Sequence, residues 1–240
     1  MPSMPRIAWR AVFVQGTTIV TSILLALAVN AWWASRLATQ SEGEHLQALQ
    51  RDFRIARTRL DASIAAARQG HDESLALVMA LAQDKLKELG RQALHKASTA
   101  MSYEVYSAPD GAWATIVSAG EVDQLQSQEL KLQIADLYGG LEDLRVSEHQ
   151  LLEQVIRFQS SEVFATKIGM GDIGYSAGNP DAPMGPAALE RVASWHGDRL
   201  LENWFALLAV HHSLVLEDYD FLSTRVDRVL QQLEAELRRF

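Results

Sequence analysis

The chain has 240 residues and a formal net charge of −8, and it contains no cysteine, which excludes disulfides, thiolate catalysis and cysteine-ligated metals. All 30 acidic residues follow residue 41, together with 19 of the 22 Lys and Arg residues. This acidic balance argues against a nucleic-acid partner, which needs a basic surface, and against a polybasic contact with lipid headgroups.

The first predicted element is a membrane-spanning helix. Residues 11–33, AVFVQGTTIVTSILLALAVNAWW, carry no charge and lie between Arg10 and Arg36. A helical run of this length can cross a hydrocarbon core of about 30 Å. The two tryptophans at its end favour the headgroup level. We predict a transmembrane helix over residues 11–34, with the membrane-interface residues Arg10, Trp32, Trp33 and Arg36.

Two removable segments share parts of this pattern. A secretory signal peptide also has a basic start and an apolar core, and Ala26-Leu27-Ala28 offers small residues at cleavage-like spacing. The apolar run is, however, longer than the roughly 7–15 residues of a signal core. A mitochondrial transit peptide is amphipathic rather than uniformly apolar. The pattern therefore favours an uncleaved anchor.

The charges that flank the span favour a cytoplasmic N-terminus. No acidic residue offsets Arg6 and Arg10 on the short N-terminal side, whereas Arg36 alone stands between the span and Glu42. Flanks with more cations tend to stay in the cytoplasm. We expect residues 1–10 to form a cytoplasmic tail, the span to lie in a bacterial inner membrane, and the C-terminal domain to be periplasmic.

One face of the predicted span carries small or polar residues at every fourth position. Stripes of this kind let two helix backbones approach closely and form hydrogen bonds across the contact. In the alternative, the Thr and Ser hydroxyls bond back to their own helix and the Asn lies at the wet interface. The candidate helix-contact face consists of Thr18, Ser22, Ala26 and Asn30.

Beyond the span, apolar residues recur at steps of three and four, which is typical of helices packed along a narrow seam. No alternating strand pattern of useful length appears. We predict an all-α fold in which the transmembrane helix continues into a bundle of long antiparallel helices over residues 35–240. Gly70 is expected to end the first helix, and a second is expected to reach about Lys96.

The second half of the chain predicts two further long helices separated by a loop. A short helix, GAWATIVSAG, should stop near Gly120, and a long helix should follow over about residues 128–166, weakened at Gly139-Gly140. Residues 167–185 are rich in Gly, Pro, Asn and Asp and are expected to form the longest loop. Pro186 suits the first position of the next helix. The tryptophans in apolar helical segments, expected to anchor the core, are Trp113, Trp195 and Trp204.

The residue types that catalysis or metal binding requires are scattered along the chain. His211 and His212 are adjacent, so they point to different sides of a helix, and no HExxH or His-x3-His pair occurs. The glycines of residues 167–185 form neither a dinucleotide-binding fingerprint nor a P-loop. We therefore predict no metal, no cofactor and no catalytic residue.

Two polar residues fall at seam positions of the predicted helices. Glu148 lies between Leu144 and Leu151, and His211 lies between Leu208 and Val215. A buried carboxylate must be paired or change its protonation, and a neighbouring imidazolium would satisfy it. A Glu148–His211 contact, acting as a register lock or a pH-responsive element, is one hypothesis. The alternative is that each side chain is satisfied locally or lies at a loosely packed edge.

The order of elements resembles a family of uncharacterised bacterial membrane proteins, known as a domain of unknown function. The resemblance rests on the anchor end LLALAVNAWW and on the later segments GAWATIVSAGEVDQL and LQIADLYGGL. The family's Asn-x-Trp-like end of the anchor and Trp…Ser-Gly-like short helix match Asn30, Trp32, Trp113 and Gly120. The resemblance implies a single-pass protein with an extracytoplasmic helical domain, and it implies no activity.

Taken together, these features predict a non-enzymatic, single-pass inner-membrane protein whose helical domain binds a protein partner or a second copy of itself. The alternative is a membrane-anchored helical bundle that senses a ligand or pH and works through a partner. A third hypothesis is a hydrolase whose site has no recognisable motif.

Overall fold

The computed structural model describes residues 9–83, 85–89, 92–169 and 185–240. Over these residues the chain is helical and contains no β-strand, which confirms the all-α prediction. Most of the predicted loop at residues 167–185 lies outside the described residues. The helices are α1 (Trp9–Ala82), α2 (Leu86–Leu89), α3 (Gln92–Ala100), α4 (Gly111–Ser118), α5 (Gln128–Gln159), α6 (Glu162–Lys167), α7 (Pro186–Ala193) and α8 (Arg199–Leu237), with a 3-10 turn at Val122–Gln124.

Helix α1 is uninterrupted over 74 residues, which corresponds to a rod of about 110 Å. Residues 15–40 are exposed throughout, and the first buried residues are Glu42 and Gly43. The exposed part near the N-terminus is long and apolar enough to cross a membrane, by length and composition. The chain therefore carries a candidate membrane span that runs without a break into the bundle.

The core is formed by α1 from residue 41 onward, α5 and α8. Helix α8 runs antiparallel to α1, because Phe240 packs against Gly43 at one end while His212 packs against Gly70 toward the other. Between these contacts, the Arg57 guanidinium lies 2.8 Å from Asp227. The chain therefore returns at its C-terminus to the end of the bundle nearest the candidate span.

Helix α8 is also antiparallel to α5. The guanidinium of Arg225 lies 2.8 Å from the Asp136 carboxylate, and farther along the Phe158 and Phe205 rings meet edge to face at 5.6 Å. The buried residues of α8 alternate in steps of four and three from Leu201 to Leu233, the spacing of a seam between long helices. Helix α8 thus lies between α1 and α5 and joins them.

The predicted end of the first helix at Gly70 is wrong. Helix α1 continues through Gly70 to Ala82, and the hydroxyl of Ser74 donates to the Gly70 carbonyl at 2.7 Å. Glycine stands there because the His212 ring touches the backbone: an added Cβ would lie 2.5 Å from its Cε1 atom. The expected second helix is divided between the end of α1, α2 and α3.

In the second half of the chain the predicted roles of Pro186 and Gly120 are confirmed, but the predicted helix over residues 128–166 is divided. Pro186 is the first residue of α7, and Gly120, with φ of +71°, follows the end of α4. The expected helix over residues 128–166 is interrupted after Gln159, because Ser161 caps α6 by accepting a hydrogen bond from the Phe164 amide at 3.1 Å. The side chain of Asp198 caps α8 in the same way.

The tryptophans expected in the core contribute to different degrees. Trp195 is completely buried, and its indole donates to the Lys167 carbonyl at 2.7 Å. Trp204 and Trp113 are half-buried. Trp204 stacks on Phe158 at 5.2 Å and Trp113 stacks on Tyr138 at 6.4 Å. The prediction is confirmed for Trp195, and the other two line the edge of the core.

The Gly139-Gly140 pair does not interrupt α5, and its two members have different surroundings. Gly139 is exposed, and a Cβ there would meet nothing within 4 Å. Gly140 is buried against the guanidinium of Arg225, whose Nη1 atom would lie 2.0 Å from an added Cβ. Gly140 therefore makes room for the Arg225–Asp136 ion pair that joins α5 to α8.

We expect Gly139→Ala and Gly140→Ala to change stability in opposite directions. Gly139→Ala should raise the free energy of unfolding by up to about 1 kcal/mol, because alanine favours a helix more than glycine does. Gly140→Ala should lower it by roughly 1 kcal/mol, because displacing Arg225 costs charged hydrogen bonds worth about 1.5–3 kcal/mol, more than the helix propensity gained. Urea denaturation followed by circular dichroism measures both. Equal gains in the two variants would contradict a packing role for Gly140.

Candidate functional site

The predicted interface residues lie at the end of the apolar part of α1. Trp32 and Trp33 are each more than half exposed, and their ring centroids are 6.2 Å apart. The Arg36 guanidinium lies 6.0 Å from the centre of the Trp32 ring, within reach of a cation–π contact. The side chain of Arg10 lies outside the described residues.

The predicted contact face on α1 is exposed along its whole length. The hydroxyl of Ser22 donates to the carbonyl of Thr18 at 2.8 Å, so this polar group is satisfied within its own helix. The small side chains of Ser22 and Ala26 nevertheless form part of a shallow groove, which is lined by Ser22, Leu25, Ala26, Val29, Asn30 and Trp33. The face thus combines a locally satisfied Ser22 hydroxyl with a depression in the helix surface.

Glu148 is buried, as its seam position predicts, with 5% of its surface exposed. Its Oε1 atom accepts two hydrogen bonds, from the Tyr219 hydroxyl at 2.7 Å and from the backbone amide of Tyr106 at 2.8 Å. Its Oε2 atom is also buried and has no hydrogen-bond partner among the described residues. The carboxyl group is therefore held by tyrosines rather than by a histidine.

Glu148 forms no hydrogen bond with the predicted partner, His211, and His212 takes the inward position that was expected for His211. His211 is half-buried, whereas His212 is 1% exposed and occupies the seam of α8. Tyr219, which does contact Glu148, lies eight residues beyond His211, or about 12 Å along the helix axis. Buried positions of α8 alternate in steps of four and three residues, and this alternation leads from Leu201 and Phe205 to residue 212. The prediction therefore places the inward histidine one residue too early.

His212 is fixed by contacts on two sides. Its Nε2 atom lies 2.9 Å from the carbonyl oxygen of Ala100, at the end of α3. Because a carbonyl oxygen can only accept, Nε2 carries the proton, and Nδ1 of the neutral ring is an acceptor. Nδ1 is buried and has no partner in the described part of the chain. On its other side the ring lies against the backbone of Gly70.

Tyr106 brings the segment between α3 and α4 into the core. Its hydroxyl donates to the Ala56 carbonyl in α1 at 3.2 Å, and its amide donates to Glu148 in α5. Its ring meets Tyr219 of α8 edge to face at 6.4 Å. The cluster formed by Tyr106, Glu148 and Tyr219, which we call the polar cluster, therefore joins the three core helices and the crossing segment.

Burial governs the ionisation of the polar cluster. Desolvation raises the pKa of Glu148, although the hydrogen bonds from Tyr106 and Tyr219 and the charge of Arg145 oppose the shift. Desolvation also raises the pKa of Tyr106 to about 12 and, together with Glu148, raises that of Tyr219. Both phenols remain neutral hydrogen-bond donors at physiological pH. Burial lowers the pKa of His212, and nearby His71 and His211 add to this effect.

A cavity of about 160 Å³ lies next to the polar cluster. Its inner wall includes the buried residues Ser63, His212 and Tyr219, and its outer rim includes the exposed residues Tyr103 and Glu104. Ser63 belongs to α1, so the helix that carries the candidate span also forms part of the cavity wall. A partly enclosed space with a few convergent polar groups is a candidate small-molecule site.

A second polar group, near the candidate span, has some of the residues of a hydrolase but not their arrangement. The Nε2 atom of His45 lies 3.0 Å from the Glu121 carboxylate and 3.4 Å from the Ser41 hydroxyl. In a catalytic triad the acid and the nucleophile contact opposite ring nitrogens. The Ser41 hydroxyl instead donates to the side chain of Gln124 at 2.8 Å. No group of three or more His, Asp or Glu residues that could hold a metal occurs within the described ranges.

The sequence contained signals for some of the residues that the prediction missed. Tyr219 lies on the α8 seam, and the regular alternation of that seam identifies His212. Tyr106 lies in an extended segment with no periodicity, so its burial depends on tertiary contacts that the local sequence does not encode. Gly70 looks like a helix end, and only the neighbouring imidazole explains it.

We expect Glu148→Gln to change how stability depends on pH. Because the pKa of Glu148 is raised in the folded state, its stabilising contribution is full below the ordinary value of 4.5 and is lost as pH rises through the folded pKa. Wild type should therefore lose stability relative to Glu148→Gln as pH rises above 4.5, in urea denaturation at a series of pH values. Glu142→Gln, at an exposed position of the same helix, is the control. Parallel profiles for wild type and Glu148→Gln would contradict the expectation.

No protein-family model matches the chain, and no curated protein or solved structure is significantly similar to it. The resemblance to uncharacterised single-pass membrane proteins therefore stays a prediction. Two of the residues on which it rests have local structural roles, since Trp113 stacks on Tyr138 and Gly120 adopts a left-handed conformation after α4.

Proposed function

We propose that this chain is a non-enzymatic, single-pass membrane protein whose helical domain mediates protein interaction or self-association. The observation that carries the proposal is the exposure of residues 15–40 on a helix whose continuation forms the core of the bundle. Large exposed apolar surfaces mark contact with a membrane or another protein. The length and uncharged composition of this stretch favour lipid as its main cover.

The contact face of α1 supports association of the anchor within the membrane. Helices in lipid gain no hydrophobic free energy by pairing, so they associate through close packing at small residues. Ser22 and Ala26 line the shallow groove on this face, with Trp33 at one end of it. A second α1 helix, or the span of a different membrane protein, could pack into this groove.

The absence of cysteine allows a direct test with single-cysteine variants. Ser22→Cys lies on the contact face, and Leu24→Cys lies at nearly the same depth but about 200° around the helix. We expect mild oxidation in membranes to produce disulfide-linked dimers of Ser22→Cys in at least about threefold excess over Leu24→Cys, since a specific contact brings only one face together. Equal crosslinking of the two variants would remove the contact face from the proposal.

We further propose that the N-terminus is cytoplasmic and the bundle periplasmic in a bacterial inner membrane. This proposal rests on Arg6 and Arg10 before the span, against Arg36 alone between the span and Glu42. Alkaline phosphatase fused after Phe240 should be active, because it needs the oxidising periplasm to form its disulfides. Activity of a reporter that works only in the cytoplasm, fused at the same point, would overturn the orientation.

A second candidate function, ligand sensing, is favoured by the cavity next to the polar cluster. Ser63, Ala66 and Ala67 of α1 line this cavity. Ser63 lies 30 residues beyond Trp33 in the same helix, or about 45 Å along its axis. A ligand in the cavity would therefore act directly on the helix that carries the span, and the response would pass to a partner of the anchor.

A further inference from the structure

Three polar side chains that line the cavity, Tyr219, Ser102 and His212, can accept hydrogen bonds but already use their own protons elsewhere. The hydroxyl of Tyr219 donates to Glu148, and that of Ser102 donates to the carbonyl of Ser98 at 3.1 Å. The Nε2 atom of His212 donates a hydrogen bond to the carbonyl of Ala100. Its Nδ1 atom remains a buried acceptor without a partner in the described ranges. A ligand that pairs with these three groups must therefore supply hydrogen-bond donors.

The charges around the cavity favour a cation. Glu104 lies on its rim, and Glu148 lies behind Tyr219, to which it is hydrogen-bonded. No Lys or Arg is among the described residues that line it. The ring of Tyr103 on the rim and that of Tyr219 on the inner wall add aromatic surfaces, which attract organic cations. An anion in the cavity would face carboxylates, hydrogen-bond acceptors and the faces of aromatic rings. No Lys or Arg among the described lining residues would balance its charge.

The size of the cavity limits the ligand to a small molecule. Its volume of about 160 Å³ is close to that of engineered apolar cavities of about 150 Å³, which admit benzene. Leu151, Val215 and Ala67 supply apolar walls. The space therefore suits a body about the size of a benzene ring that bears one polar group.

We propose that this cavity binds a small primary amine, with its ammonium group donating to Nδ1 of His212 and its apolar body against Leu151 and Val215. The inference deepens the proposed sensing function and rests on it for its biological meaning. It does not depend on self-association of the anchor, because all the groups that it uses belong to the bundle.

The test is isothermal titration calorimetry of the full chain in lipid nanodiscs with three probes of equal size: benzylamine, benzyl alcohol and benzoate. Benzylamine should bind at least about tenfold more tightly than benzyl alcohol, because its charged donor matches the acceptor and the carboxylates. Benzoate should not bind. Empty nanodiscs, titrated in parallel, correct for partition of the probes into lipid.

Two α1 variants separate the cavity from other binding places. Ala66→Leu projects a larger side chain into the cavity and should weaken benzylamine binding by at least about tenfold. Ala62→Leu, one turn earlier at an exposed position, should leave the affinity unchanged. His212→Leu should also weaken benzylamine binding while leaving that of benzyl alcohol within about twofold, provided that circular dichroism shows the helix content of wild type.

The possible results of these titrations test different parts of the proposal. Equal affinities for benzylamine and benzyl alcohol, both lost in Ala66→Leu, would overturn the amine but leave the cavity as a ligand site. Binding of benzylamine that survives Ala66→Leu would overturn the placement of the amine in this cavity. If none of the probes binds, both the amine and the sensing function are overturned, and the association of the anchor is judged separately by its own crosslinking result.

Discussion

The structure depends on one constraint: a single rigid helix, α1, belongs to two environments. From residue 15 to residue 40 none of the residues that the structure describes covers it, and from Glu42 onward it packs into a core. The change is abrupt because several groups meet there. The buried Glu42 carboxylate accepts from the Gln126 amide at 2.8 Å, and Phe240 packs on Gly43. The start of α5 and the C-terminus of the chain are thereby held where the exposed part of α1 ends.

A regular seam between long helices leaves the register poorly defined, because a slip of seven residues pairs apolar side chains again. The polar cluster and the His212–Gly70 contact oppose such slips. Shifting α8 against α1 by one heptad would place Ser63 or Leu77 where Gly70 now accommodates the imidazole, and either has a Cβ that this contact excludes. The same shift would remove Tyr219 from Glu148 and leave a buried carboxyl without one of its donors, at a cost of about 1–3 kcal/mol or more. Burying these polar groups therefore specifies one alignment of the helices.

The sequence predicted the features that follow from local pattern and failed where tertiary contacts decide. The all-α fold, the exposed apolar stretch, the burial of Glu148 and the start of α7 at Pro186 all depend on periodicity or capping, which the residues encode directly. Gly70 has the composition of a helix end, but a neighbouring ring requires it. A single seam interval of three or four residues does not distinguish His211 from His212, and only the whole repeat of α8 identifies the inward one. No local pattern predicts the burial of Tyr106, because a segment without periodicity enters the core only when two helices leave room for it.

The shared helix also connects the two proposals about function. A ligand against Ser63 and Ala66 and a partner against Ser22 would bind the same continuous helix, about 60 Å apart. A helix changes its length very little, so a displacement at the cavity would pass to the candidate span as rotation or tilt rather than being absorbed between them. The coupling is then reciprocal. If an amine changes the association constant of the anchor by some factor, association must change the affinity for the amine by the same factor. The exposed residues between Trp33 and Glu42 are a stretch where bending could uncouple the two, and there α1 remains helical without a glycine or a proline.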